Sequence, residues 1–159
     1  PATERGLENS RMVLAELADK AAESGISLGL EFCNRYETNV INTTAQTLEF
    51  IEAIGRPNIF AHLDTYHMNI EEKSMSGAVK QAAAAGKLGY VHVGESHRGQ
   101  LGTGSVNWDD FLGALIEVGY DGVVTFDNNS RAALVNNLMV TLVSEQHIQP
   151  VLSTAQVKG

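Results

Sequence analysis

Leu30-Glu31-Phe32-Cys33-Asn34-Arg35-Tyr36-Glu37 ends the apolar run Ile26-Ser27-Leu28-Gly29-Leu30 and places two carboxylates six residues apart. An apolar run that stops at a carboxylate reads as a buried strand delivering a ligand or a base to a site. Three later runs stop in the same way. Ile59-Phe60-Ala61-His62-Leu63 leads to Asp64 and His67, Gly89-Tyr90-Val91 leads to His92, Glu95 and Arg98, and Val123-Val124-Thr125-Phe126 leads to Asp127.

Between these runs the apolar period lengthens to that of helices. Residues 7–23 carry Leu14, Leu17, Ala18 and Ala21 along one face and stop at Gly25. Thr43 or Thr44 caps a helix bearing Leu48, Ile51 and Ile54, stopped by Gly55 and Pro57. Residues 65–74 read as a loop, 75–85 as an alanine-rich helix, and Asn107 caps a helix with Trp108, Leu112, Leu115 and Ile116. Strands are expected over about 26–33, 58–64, 88–93 and 122–127, and a last helix carries Leu134, Leu138 and Leu142. Residues 1–148 form one domain on this reading, and 149–159 form a tail. Strands alternating with helices imply βαβ units, a parallel sheet and an α/β fold. In barrel and doubly wound sheets alike, ligands bind at the carboxyl ends of the strands, where all four polar clusters lie.

Composition narrows the partners. The chain has 159 residues, 11 scattered Lys and Arg, and a net charge of −8, which argues against nucleic acid or an anionic membrane. No apolar stretch approaches the ~20 residues of a membrane span. The single cysteine, Cys33, has no internal disulfide partner, so a reducing cytoplasm is the expected compartment.

Three carboxylates and an imidazole (Glu31, Asp64, His92 and Asp127) form a hard, oxygen-rich donor set. Such a set suits Mn²⁺, Mg²⁺ or Co²⁺ with open positions for an oxygen ligand, and lacks the thiolates of a structural zinc site. Glu37, His67 and Arg98 then remain to bind substrate hydroxyls. His62 sits inside its strand and reads as a core or supporting residue, Cys33 as a small packed side chain, and Trp108 as a core anchor.

The segments LGLEFCNRYETN, HLDTYHMNIEE, VHVGESHRGQLGTG and VNWDDFLGALIEVGYDG resemble the ketose 3-epimerases related to D-tagatose and D-psicose (allulose) 3-epimerase. Those enzymes are xylose-isomerase-like (β/α)₈ barrels. The resemblance implies one divalent ion, Mn²⁺ first with Co²⁺ or Mg²⁺ as alternatives, held by Glu31, Asp64, His92 and Asp127. It implies C3 epimerisation of a keto sugar through a metal-bound cis-enediolate, with Glu31 and Asp127 as acid and base on opposite faces. Glu37, His67 and Arg98 match the family's contacts to substrate oxygens.

Two departures accompany the resemblance. The family usually has glutamate where this chain has Asp127, so the carboxylate is expected to retreat by about 1–1.5 Å. A whole barrel takes about 250 residues, whereas the motifs here correspond to strands five to eight. The missing initiator Met and the four strand signals point to a partial chain, a (β/α) half-barrel that pairs with a copy of itself or with a missing N-terminal half. The same residues admit two other readings: an aldose–ketose isomerase moving a proton between C1 and C2, and a non-catalytic half-barrel that binds metal or sugar.

Overall fold

The computed structural model describes residues 2–127. In chain order they form α1 (Glu4–Ala22), β1 (Leu28–Glu31), α2 (Thr44–Ile54), β2 (Ile59–Asp64), α3 (Thr65–Glu71), α4 (Met75–Ala84), β3 (Leu88–Val93), α5 (Trp108–Glu117) and β4 (Val124–Phe126). The four strands make one all-parallel sheet in the order β1-β2-β3-β4. That is the α/β half-barrel architecture expected from the sequence. Among the described residues β1 and β4 each pair on one side only. No described helix is long and apolar enough to cross a membrane. The expected helix through Leu134, Leu138 and Leu142 and the tail after 148 lie outside the described residues.

Local chemistry sets the helix ends. Thr43 caps α2 by accepting from Gln46 N, and Gly55 closes it at φ 69°, a left-handed conformation that costs glycine little. Asn107 Oδ1 accepts from Asp110 N at 3.1 Å and starts α5. One element departs from expectation: residues 65–71 form helix α3, where a loop was read. Seven residues are too few to display a helical period, and the cap is Asp64 itself, whose Oδ1 accepts from Tyr66 N at 2.7 Å. A second departure is Leu17, which is 50% exposed although it shares the apolar stripe of α1. The main contact of α1 is with α2, so only a narrow stripe around Ala18 is covered.

Side chains alternate across a strand, and one face of this sheet packs Ile59, Ala61, Leu63, Val91 and Val93 in the core with α2, α4 and α5. The register pairs Glu31 with His62, Asp64 with His92, and His92 with Thr125. The other face is therefore polar and aromatic. Tyr90 packs edge-on against His62, and its hydroxyl is 2.6 Å from Thr125 Oγ1. Apolar packing on one side thus fixes the level at which ionisable groups emerge on the other.

The loop after β3 is organised by one buried carboxylate. Glu95 is fully buried and accepts from Ser96 N, Gly102 N, Val106 N and Trp108 Nε1 at 2.8–3.2 Å. Burial works to raise its pKa, but these donors outweigh it and hold the carboxyl below its ordinary value. Gly104 lies so close that a Cβ there would collide with Ser96 Oγ and Glu95 Oε1. Glu95→Gln places an amide NH₂ among these donors, so urea unfolding should show a loss of about 2–3 kcal/mol. A loss near zero would show that the loop holds without this carboxylate.

Candidate active site

The strand register brings Glu31, Asp64, His92 and Asp127 into overlapping groups at the carboxyl end of the sheet. His92 Nδ1 lies 3.8 Å from Glu31 Oε1 and 3.9 Å from Asp64 Oδ2. Ligand atoms of Asp64, His92 and Asp127 fall within 4.8 Å of one another, as do those of Glu31, Asp64 and His67. The shorter last carboxylate therefore still reaches the cluster. Asp127 also forms an ion pair with Arg98, whose guanidinium sits 4.0 Å from the Tyr66 ring. Arg98 takes a left-handed φ of 54° in the turn held by Glu95.

Electrostatics distinguish these groups. Asp64 is fully buried, and its Oδ2 has no hydrogen-bond partner among the described residues. Burial raises the Asp64 carboxyl, despite the Tyr66 amide and nearby cations. Burial, and then the charges of Asp64 and Asp127, push Glu31 up to about 7. Burial also works to raise Asp127, but the hydrogen bond and charge of Arg98 hold it below its ordinary value. His92 is lowered mainly by burial, and His62 is lowered to about 4 by burial and by His92. Both imidazoles are therefore neutral near pH 7 and keep a lone pair to donate.

An unpartnered buried carboxylate oxygen is costly. A proton on a neighbouring carboxylate or a cation would compensate it, because among the described residues no N–H or O–H donor reaches Asp64 Oδ2. Three carboxylates beside a neutral imidazole match a hard divalent cation. The donor set fits such an ion.

A second group adjoins the first. Cys33, Glu37 and His67 also bring ligand atoms within 4.8 Å of one another. Glu37 Oε1 accepts from Asn34 Nδ2 at 2.8 Å, and His67 Nδ1 accepts from Asn34 N at 3.0 Å. Glu37 and His67 thus lie together on one flank of the cluster, and Arg98 stands beside Asp127.

His62 is buried as expected, yet its Nε2 is unpartnered and its ring lies 4.0 Å from that of His92. Trp108 is buried and spends its indole N–H on Glu95. Asn34, Tyr66 and the anchoring role of Glu95 were missed from sequence. Only Asn34 left a signal: its spacing of three from Glu37, immediately after a strand.

Comparison with known proteins supplies the family. Over 138 residues the chain is 51% identical to a ketose 3-epimerase of Arthrobacter globiformis, covering 87% of this chain and 47% of that protein. It is 49% identical to an L-ribulose 3-epimerase of Methylomonas sp., covering 89% of this chain and 49% of the relative. The crystal structure of a D-allulose 3-epimerase from Methylomonas sp. in complex with D-allulose matches with a TM-score of 0.79 at 48% identity, over 89% of this chain and 50% of that one. The chain spans about half the length of these relatives. Residues 2–140 match the xylose isomerase-like TIM barrel, and the chain belongs to that family.

Proposed function

We propose that this chain carries the metal-binding, proton-transferring half of a ketose 3-epimerase acting on a small keto sugar. The observation that carries this reading is the meeting of Glu31, Asp64, His92 and Asp127 around a buried, unpartnered Asp64 oxygen. The similarity to ketose, L-ribulose and D-allulose 3-epimerases supports the substrate class. Glu31, Asp64, His92 and Asp127 would hold a divalent ion, Mn²⁺ first and Co²⁺ or Mg²⁺ as alternatives, which polarises the ketose carbonyl and acidifies the adjacent C–H.

The residues divide the remaining work. Glu31 and Asp127 are the proton-transfer pair, one removing the C3 proton and the other returning a proton to the opposite face. In the metal-free chain burial pushes the Glu31 carboxyl upward while Arg98 holds that of Asp127 downward, so the two are not equivalent. Glu37, His67 and Arg98 orient the sugar hydroxyls. Incubation with D-fructose and Mn²⁺ in deuterated water should place deuterium at C3, and Glu31→Gln should slow that exchange by at least about 100-fold. Exchange at C1 alone would identify an aldose–ketose isomerase. Metal binding with no exchange would leave a non-catalytic binding half-barrel.

Stability should also depend on pH and metal. The raised Glu31 carboxyl contributes stability that is complete below its ordinary value near 4.5 and is lost as pH rises through about 7. The lowered histidines act oppositely, gaining stability as pH rises through their ordinary value of 6.5. The melting temperature of the metal-free parent chain should therefore fall relative to that of Glu31→Gln between pH 6.5 and pH 8.5, a comparison in which the histidine contributions cancel. Mn²⁺ should raise the melting temperature most at pH 8.5. A Glu31→Gln profile parallel to that of the parent chain contradicts the assignment.

A further inference from the structure

Asn34 is 1% exposed, and every polar atom it owns is committed. Its Oδ1 accepts from Tyr36 N at 3.0 Å, which fixes the orientation of the amide. The NH₂ group consequently faces the other way. There Nδ2 donates to Glu37 Oε1 at 2.8 Å and lies 3.0 Å from His67 Nδ1. The Asn34 backbone N–H donates to the same Nδ1 at 3.0 Å. Two amide hydrogens thus serve two acceptors, one on each of two side chains from different elements.

The surroundings hold Asn34 opposite α3. Glu71 accepts from Arg35 N at 2.6 Å, from Nε at 3.0 Å and from Nη2 at 2.7 Å, which clamps the turn after β1 to the end of that helix. Thr65 Oγ1 donates to Gly94 O at 2.7 Å and accepts from Gly94 N at 2.8 Å, tying the start of α3 to the end of β3. Glu72 Oε1 accepts from Thr44 N at 2.7 Å.

We propose that Asn34 is a positioning residue that locks Glu37 and His67 into a matched acceptor and donor for one sugar hydroxyl. The proposal rests on the reading of Glu37 and His67 as substrate-binding residues. With Nδ1 filled by N–H donors, the neutral His67 ring carries its proton on Nε2 and offers a donor. Glu37, held through one oxygen, offers an acceptor. A hydroxyl group needs both, and the amide couples the two.

Histidine ¹⁵N NMR of the full chain, combined with ketose kinetics, tests this. The parent chain should show His67 as the Nε2–H tautomer. Asn34→Ala keeps the backbone donor, so it should retain that tautomer while KM rises about tenfold and kcat changes less than about threefold. Asn34→Asp keeps that backbone donor but sets a carboxylate against Glu37, so it should repel the Glu37 carboxylate and raise KM further. A merely structural role would lower the melting temperature and leave KM unchanged. A parent His67 protonated on Nδ1 overturns the proposal, as does Asn34→Ala with an unchanged KM. If Asn34→Asp does not fold, the parent chain and Asn34→Ala still decide. If the chain turns over no ketose, the epimerase reading falls while the tautomers still test Asn34.

Discussion

The register of four parallel strands, with Glu31 beside His62 and Asp64 beside His92, brings three carboxylates and an imidazole together partly out of water. Two like charges 4 Å apart cost about 4 kcal/mol at an effective dielectric of about 20. The core face of the sheet fixes the register, so these side chains have no freedom to separate along the strands. The strain appears in proton affinity: Glu31 is pushed up to about 7 and Asp64 is raised as well. A divalent cation relieves burial and repulsion at once.

The two fully buried carboxylates among the described residues show how the fold distinguishes support from function. Glu95 is surrounded by four N–H donors and sits below its ordinary pKa, stabilised as an anion without a ligand. Among the described residues Asp64 has one hydrogen-bond donor and an unpartnered oxygen, and its carboxyl sits above its ordinary pKa. Glu95 shapes the loop that carries Arg98, and Arg98 in turn holds Asp127 ionised. Satisfied polar groups around the site therefore set the charge state of the unsatisfied ones within it.

Much of this was legible in the sequence because its signals are local. Apolar runs ending in Glu31, Asp64, His92 and Asp127 marked the strands, and Gly55 and Asn107 marked the helix ends through cap chemistry. Helix α3 was not legible, since seven residues hold no period and its cap doubles as a ligand candidate. The work of Glu95 depends on donors up to thirteen residues away in a loop, and that of Asn34 on a histidine thirty-three residues away. Contacts of that kind exist only once the strands are in register. The retreat expected of the Asp127 carboxylate rested on side-chain length alone, and the end of β4 sets that carboxylate within 4.8 Å of ligand atoms of Asp64 and His92.

The central claim is that one divalent ion belongs among these four strand ends. Anomalous scattering from crystals of the chain grown with Mn²⁺ addresses it directly. A single peak about 2.1 Å from oxygens of Glu31, Asp64 and Asp127 and from a nitrogen of His92 is the predicted result. A peak ligated instead by Cys33, Glu37 and His67, or no peak at saturating Mn²⁺, would contradict it.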